Sequence, residues 1–438
     1  MVLHDSILTR LLGAIDANRL VLLCGAGLSI ASPSNLMSAV AVSRACYDKY
    51  QHIRALPAPL RDNVDQLAGH FHGTHEFESV FIGSLVPWRE LTGEPNEGHA
   101  AVSDLLISRA ADAALSANFD FLIEQWGTSK KVDLRGALNG QEAINFRSET
   151  NPLLKFHGCM VRGRERTLWT QAQLGDPDVA ATIHACADWM RLTLPGKDLL
   201  VVGFWTDWGY LNNVIAKALS TMAFGSVTVV DIATTAELQA KAPTLWTTLT
   251  SGTANFRHCQ GSGAEALSEL RTAFSRVWLK RFYALAQPLV VADGKAYSFL
   301  SPPASCDDMY NCRRDGEGVP YNRSARTKEP APAAAQAAFA HHLLVQAGAT
   351  REGAWYRKDG KRVRVIQGAG EGLNSVRKRY DEPPAMDQPD IVVCAGALDI
   401  PVPASIVGVT AVSSIVRGSG ANTSRWVTLE QARGELGI

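Results

Sequence analysis

Apolar residues in this chain come as short continuous runs separated by amphipathic stretches. The runs Arg19–Cys24, Asp112–Ser116, Pro152–Phe156, Asp198–Gly203 and Ser226–Asp231 are each five or six residues long. Strands covered on both faces read this way, because neither face needs polar residues. Between them lie helical patterns: Ser6–Asn18, about Leu36 to Tyr50, Glu97–Arg109 and a long one from about Ala264 to Ala286. Alternation of this kind predicts an α/β fold, a Rossmann-like doubly wound parallel sheet. The stretch Gln51–Leu91 is polar, with His52, His70, His72 and His75, and reads as helices and loops inserted into that core. The spacing of its histidines matches no recognised metal pattern, so they are expected on a solvated surface.

The pattern changes beyond residue 285. Residues 286–335 hold Ser301-Pro302-Pro303, Asp315-Gly316-Glu317-Gly318 and Glu329-Pro330-Ala331-Pro332, a linker-like composition. Residues 336–438 then predict a smaller C-terminal α+β domain. Its elements are an Ala-rich helix at Ala333–Gln346, a hairpin turning at Asp359-Gly360, strands at Asp390–Ala395 and Ser405–Val412, and a helix near Leu429–Leu436. Residues 1–285 are expected to form the first domain.

Three segments carry candidate chemistry, and each follows a predicted buried strand. They are Gly25-Ala26-Gly27-Leu28-Ser29, Ser116-Ala117-Asn118-Phe119-Asp120 and His157-Gly158. In an open α/β sheet the carboxyl ends of the strands form the ligand crevice. Small residues at 25–27 let a backbone approach a pyrophosphate, and the following helix offers N–H groups. Alone, this loop is equally a strand-to-helix turn. An amide such as Asn118 both donates and accepts, so it suits a ribose hydroxyl or a water. Asn118 and Asp120 also fit an Asx turn capping a helix at Phe119–Gly127. His157 has the ordinary pKa range of a base, though a lone histidine after a strand is as readily a packed core residue.

Composition narrows the classes. Lys plus Arg and Asp plus Glu each number 43, for a net charge of +0, so bulk charge gives no attraction to nucleic acid or anionic membranes. Apolar residues make up 46% and charged residues 20%, enough to bury a large core. No apolar run approaches the roughly 20 residues of a membrane span, and Met1-Val2-Leu3-His4-Asp5 lacks a signal peptide's basic start, so the cytoplasm is expected. The eight cysteines, at 24, 46, 159, 186, 259, 306, 312 and 394, form no C-x-x-C pair. Neither a zinc site nor a disulfide framework is expected.

Taken in order, these segments resemble the Sir2 (sirtuin) family. Gly25–Ser29 resembles its G-A-G-x-S, Pro95-Asn96-Glu97-Gly98-His99 its P-N-x-x-H, Ser116–Asp120 its T-Q-N-x-D, and His157-Gly158 its H-G. Gly203 after one strand and Asp231 at the end of another complete the set. The family's zinc ribbon is missing, and Pro33-Ser34-Asn35-Leu36-Met37-Ser38 stands in place of its G-I-P-D-F-R. The chain is therefore most similar to the zinc-less Sir2-like NADase domains of bacterial antiphage systems, a branch that Gly203-Phe204-Trp205-Thr206-Asp207-Trp208 and Tyr210-Leu211 also resemble.

The resemblance implies NAD as substrate, cleaved at its nicotinamide N-glycosidic bond, with NAD depletion as an abortive antiviral defence. It implies Asn118 and His157 as catalytic residues, with Gly25, Ala26, Gly27 and Ser29 around the pyrophosphate. Asp120 would stand at the nicotinamide end, with Gly203 beside the cofactor and Asp231 at the adenosine ribose. A non-catalytic NAD or ADP-ribose scaffold is the second reading, and a deacylase or ADP-ribosyltransferase a third. Control is expected through homo-oligomerisation or a partner, a HerA-like ATPase or an Argonaute-like protein, docked by the C-terminal domain. Between Arg351 and Tyr380 nine Lys/Arg face three acids, with Trp355 and Tyr356 among them. That cluster reads as a nucleic-acid contact or as a solvated hairpin. Gly368-Ala369-Gly370-Glu371-Gly372 reads as a second nucleotide loop or a flexible turn.

Overall fold

The computed structural model describes residues 2–221, 224–253, 255–298, 300, 306–318, 328–380, 389–400 and 424–438. The predicted strand Ser405–Val412 lies outside them. The chain forms two compact units, Met1–Arg271 and Thr272–Ile438, and the division falls within the helix Gly263–Ala284.

The first unit is built on seven strands: β1 (Leu20–Cys24), β2 (Ala113–Ser116), β3 (Gly136–Ala137), β4 (Leu153–Lys155), β5 (Asp198–Val202), β6 (Ser226–Asp231) and β7 (Phe256–Gln260). Their order is β3-β4-β2-β1-β5-β6-β7 and every neighbouring pair is parallel. Each residue of β1, β2, β4 and β5 is buried, which is why these strands announce themselves as unbroken apolar runs. β7 is an edge strand with Arg257, His258 and Gln260 partly exposed, so it carries no apolar signature. Helices on both sides cover the sheet, and Val21, Leu23, Leu199, Val201 and Val229 pack with Trp189, Phe204 and Trp205. Each such aliphatic side chain contributes roughly 1.5–3 kcal/mol on burial.

The two ends of the sheet differ. At the amino end, Asp112 pairs with Arg147 at 2.6 Å and Lys197 at 2.7 Å, and Asp198 with Arg19 at 3.0 Å. These are ion pairs that pin strand starts. At the carboxyl end stand the loops with the candidate chemistry.

The inserted stretch is more than a polar elaboration. Its helices Val64–Gly73, Phe77–Leu85 and Trp88–Leu91 enclose an apolar core of their own, with Phe71, Phe77, Phe81 and Trp88 packed with Trp169. Phe71 and Phe81 stack at 5.7 Å, and Trp169 meets Phe81 edge-on at 5.6 Å. Polar residues dominate this stretch only because a small core leaves most positions outside. Among its histidines, His72 is half-buried and bonds Asp176 at 2.9 Å, a tether rather than free surface.

The second unit holds a mixed sheet in the order β12-β11-β10-β9-β8. Strands β8 (Thr350–Glu352), β9 (Trp355–Lys358) and β10 (Lys361–Gln367) are antiparallel, while β11 (Ile391–Ala395) and β12 (Arg425–Thr428) add in parallel. Asp359 and Gly360, at φ 50° and 78°, make the two-residue turn of the expected hairpin. The basic cluster is largely engaged within the unit: Arg351 pairs with Asp308, Arg357 with Glu352, Arg364 with Asp315 and Arg379 with Glu371. Burial alone would raise the pKa of Asp315, but Arg364 and Arg314 outweigh it and hold the carboxyl at about 2. The loop 368–372 is fixed against the turn after β11, through Gly370 N–H to Gly396 O and Leu373 N–H to Leu398 O. It is an ordered crossover whose amides are mostly satisfied by protein.

Among the described residues no helix is long and apolar enough to cross a membrane.

Candidate functional site

His157, Asn118, Gly25, Gly203 and Asp231 lie at the carboxyl ends of β4, β2, β1, β5 and β6. Those five strands are consecutive in the sheet, and the last residues of four are in register, Cys24 beside Ser116 and Val202, and Ser116 beside Lys155, while β6 runs one residue further. The chain runs from β1 out to one side for β2 and β4, then returns to the other side for β5 and β6. That reversal is where open α/β sheets form their ligand crevice.

Glycine at 25, 27 and 203 is a steric necessity. A Cβ on Gly25 would lie 2.6 Å from Gly203 O, and one on Gly203, at φ +59°, would lie 2.7 Å from the Leu28 nitrogen. The two loops therefore touch backbone to backbone. Their amides are also used locally: Gly25 N–H bonds Val202 O, Gly27 N–H bonds Gly203 O and Leu28 N–H bonds Gly25 O. Ala26 is exposed, and its N–H makes no backbone bond among the described residues.

Ser29 is the hub of the polar network. Its Oγ donates to Asp120 Oδ2 at 2.9 Å and accepts from Asn118 Nδ2 at 3.0 Å. It also lies 3.1 Å from His99 Nε2. Asn96 N–H donates to His99 Nδ1, which places the ring proton of His99 on Nε2, directed at Ser29. The order is thus His99 N–H to Ser29 O–H to the Asp120 carboxylate. Burial lowers the His99 pKa to about 4, so the ring stays neutral. Ser29 has all its hydrogen-bonding positions on protein, and any hold on a pyrophosphate falls to the backbone.

Asn118 is 7% exposed. Its Nδ2 also donates to Gly25 O at 3.1 Å, yet its buried Oδ1 has no partner among the described residues. Leaving a buried acceptor unmade costs about 1–3 kcal/mol, which a ligand hydroxyl or a held water would recover. Phe119, between Asn118 and Asp120, anchors the loop by packing on Trp169 at 4.5 Å. Beneath it Lys155, 1% exposed, donates to Asp120 O and to Glu124 Oε1 at 3.1 Å. Burial disfavours its charge, but Glu124, Cys159 and Asp120 prevail and raise its pKa. Replacing Lys155 with Met strands Glu124 and the Asp120 carbonyl, and is expected to cost about 3–5 kcal/mol in a urea melt. An unchanged midpoint would show that the loop does not depend on this lysine.

His157 follows β4 in a turn closed by Gly158 N–H to Lys155 O. Gly158 sits at φ +93°, where a Cβ would also press on Thr167 at 3.0 Å. The imidazole is 7% exposed, and burial lowers its pKa to about 3. Its contacts are with Phe156, Trp208 and Tyr210, and no hydrogen bond joins it to Asn118. Asp231 stands apart from this network, and its Oδ1 accepts Ala233 N–H at 2.9 Å in an Asx turn.

Four residues of this region were not among the expected site residues. His99 had a signal, since it closes the Pro95–His99 segment, and Lys155 had one as a lysine inside a buried triplet. Trp208 and Tyr210 had one only in the resemblance of the segment from Gly203 to Leu211, which says nothing of a contact with His157, since that partner lies some 50 residues away.

No family model matches the chain, and no curated protein matches it. Solved structures do, over part of its length. Among them are Sir2 proteins. A Sir2 homologue in complex with NAD is 16% identical with a TM-score of 0.37, covering 60% of this chain and 92% of its own. A mutant Sir2 homologue bound to ADP-ribose is 14% identical with a TM-score of 0.36, covering 61% and 95%. A further Sir2 enzyme is 15% identical with a TM-score of 0.32, covering 61% and 96%. At such identities and scores the likeness reaches no further than partial fold.

Proposed function

We propose that the first unit binds NAD+ at the carboxyl edge of its sheet and hydrolyses it to ADP-ribose and nicotinamide. The observation that carries this reading is the Asn118 amide, anchored through Nδ2 on Gly25 O and Ser29 Oγ with a buried Oδ1 left unpartnered. Such a group suits a ribose hydroxyl or a water that must be held in one orientation. The N–H of Ala26, an exposed residue, makes no backbone bond among the described residues and suits a phosphate oxygen.

In the reaction the C1′–N glycosidic bond breaks and its electron pair leaves with nicotinamide. The oxygen of water bonds to C1′, and the water's proton passes to His157 and then to solvent. The transition state resembles an oxocarbenium ion, so orientation and exclusion of other water do most of the work. Burial keeps His157 in the neutral form that a general base requires, while also lowering its basicity. In this reading Asp120 organises the nicotinamide end through Ser29, and Asp231 meets the adenosine ribose from the end of β6. In a cell, unrestrained activity would drain NAD, consistent with a defence effector restrained until a partner or self-assembly releases it.

Release of nicotinamide from NAD+ by the full chain, alone and with candidate partners, tests the reading. Binding of NAD without release in any condition would favour a non-catalytic scaffold. No group of three or more His, Cys, Asp or Glu that could hold a metal occurs among the described residues. Because the sequence holds no C-x-x-C pair, purified protein is expected to contain no stoichiometric zinc, and a chelator to leave both melting and turnover unchanged. Unfolding on chelation would contradict this.

A further inference from the structure

Tyr210 lies in the first turn of the helix Gly209–Thr221, which follows β5 and its loop. Its hydroxyl is 2.9 Å from His157 Nε2. Trp208 lays its ring along the imidazole at 4.7 Å and 35°, and Phe156 meets it edge-on at 4.6 Å. Two aromatic neighbours thus fix the plane of the ring and one hydroxyl fixes a nitrogen. Nδ1 makes no hydrogen bond among the described residues. Burial raises the phenol's pKa well above its ordinary value, so the group is a neutral hydroxyl.

We infer that Tyr210 is a positioning residue for His157, its oxygen accepting the ring proton's hydrogen bond at Nε2 so that Nδ1 is the basic nitrogen. The inference deepens the NAD-cleavage reading and rests on it. In a neutral imidazole one nitrogen carries the proton, and the hydrogen bond at one nitrogen decides what the other can do. With the proton on Nε2, the lone pair of Nδ1 is free to take a proton from the attacking water. Once it does, the Nε2–H···O bond belongs to a cation, and charge-assisted bonds are roughly twice as strong as neutral ones. Tyr210 therefore contributes more after proton transfer than before, which raises turnover rather than affinity. It fills the orienting place that a carboxylate takes in Ser-His-Asp triads, with a neutral oxygen suited to a site where an isolated buried charge would be costly.

The test is Tyr210→Phe in the full chain, with nitrogen NMR of the imidazoles in wild type and variant. The variant is expected to lose about 10–100-fold in kcat, the worth of one hydrogen bond to a charged group, with KM and NAD affinity unchanged. The wild-type His157 ring is expected to carry its proton on Nε2, and the variant ring to lose that preference. Unchanged kcat, a rise in kcat (the hydroxyl then merely covers the base), or a wild-type ring protonated on Nδ1 would each overturn the inference. If Tyr210→Phe does not fold, the wild-type spectrum decides alone. If the wild-type protein releases no nicotinamide, the NAD-cleavage reading falls, while the spectrum still decides the assignment of Tyr210.

Discussion

His157→Ala is expected to release nicotinamide about 10²–10⁴-fold more slowly than the wild-type protein, the usual contribution of a positioned base. NAD binding should survive, because the imidazole's only hydrogen bond among the described residues is to Tyr210 rather than to the glycine loop or Asn118. Asn118→Ala should lose activity on a similar scale, but for a different reason. Its Nδ2 ties the β2 loop to Gly25 O and Ser29 Oγ, so the variant also leaves protein groups without a donor. A stability loss of about 1–3 kcal/mol is expected with it. Turnover and a denaturant melt are therefore measured on the same samples. Wild-type turnover in a folded His157→Ala protein would remove His157 from the reaction and leave only the binding half of the proposal.

Acidification is expected to destabilise the first unit well before ordinary carboxylates titrate. Burial holds His99 at about 4 and His157 at about 3, whereas both rise to roughly 6.5 on unfolding. Between those values the unfolded chain binds protons that the folded one refuses, so stability falls as pH falls. Each histidine contributes about 1.4 kcal/mol per pH unit below 6.5, and the pair removes about 4 kcal/mol between pH 7 and pH 5. Depressed carboxylates such as Asp207 and Glu237 act in the same direction only near pH 4 and below. Urea midpoints at pH 7, 6 and 5 measure the slope, and His99→Gln or His157→Gln should each flatten it. A midpoint that stays constant across that range would mean that the two rings are not buried neutral in solution. In the second unit His341, held at about 3 chiefly by burial, predicts a similar trend.

Much of the first unit is legible in the residues alone because its central strands are buried on both faces. β1, β2, β4, β5 and β6 each appear within a residue or two of an apolar run, and parallel order follows from the helices between them. The hairpin at Asp359-Gly360 and the helix Leu429–Leu436 are equally local, set by turn chemistry and amphipathic spacing. Elements whose stability comes from neighbours are invisible by the same test. β3 has two residues, β7 is a half-exposed edge, and the helices Pro177–Thr193 and Gly209–Thr221 sit where the pattern marks no boundary.

The site divides along the same line. Strand-end position brings Gly25, Asn118, His157, Gly203 and Asp231 to one edge, and that position is encoded by the apolar runs before them. What each side chain does there is not, because its partners are distant along the chain. Ser29 presents itself as a phosphate ligand, yet tertiary contacts with His99, Asn118 and Asp120, at separations of 70, 89 and 91 residues, make it the hub of a buried network. His157 presents itself as a base, and the hydroxyl that faces its Nε2 belongs to Tyr210, 53 residues away. Apolar burial is a property of each segment and survives in the order of residues. Hydrogen-bond partnership is a property of pairs, and it exists only once the sheet has set its strands side by side.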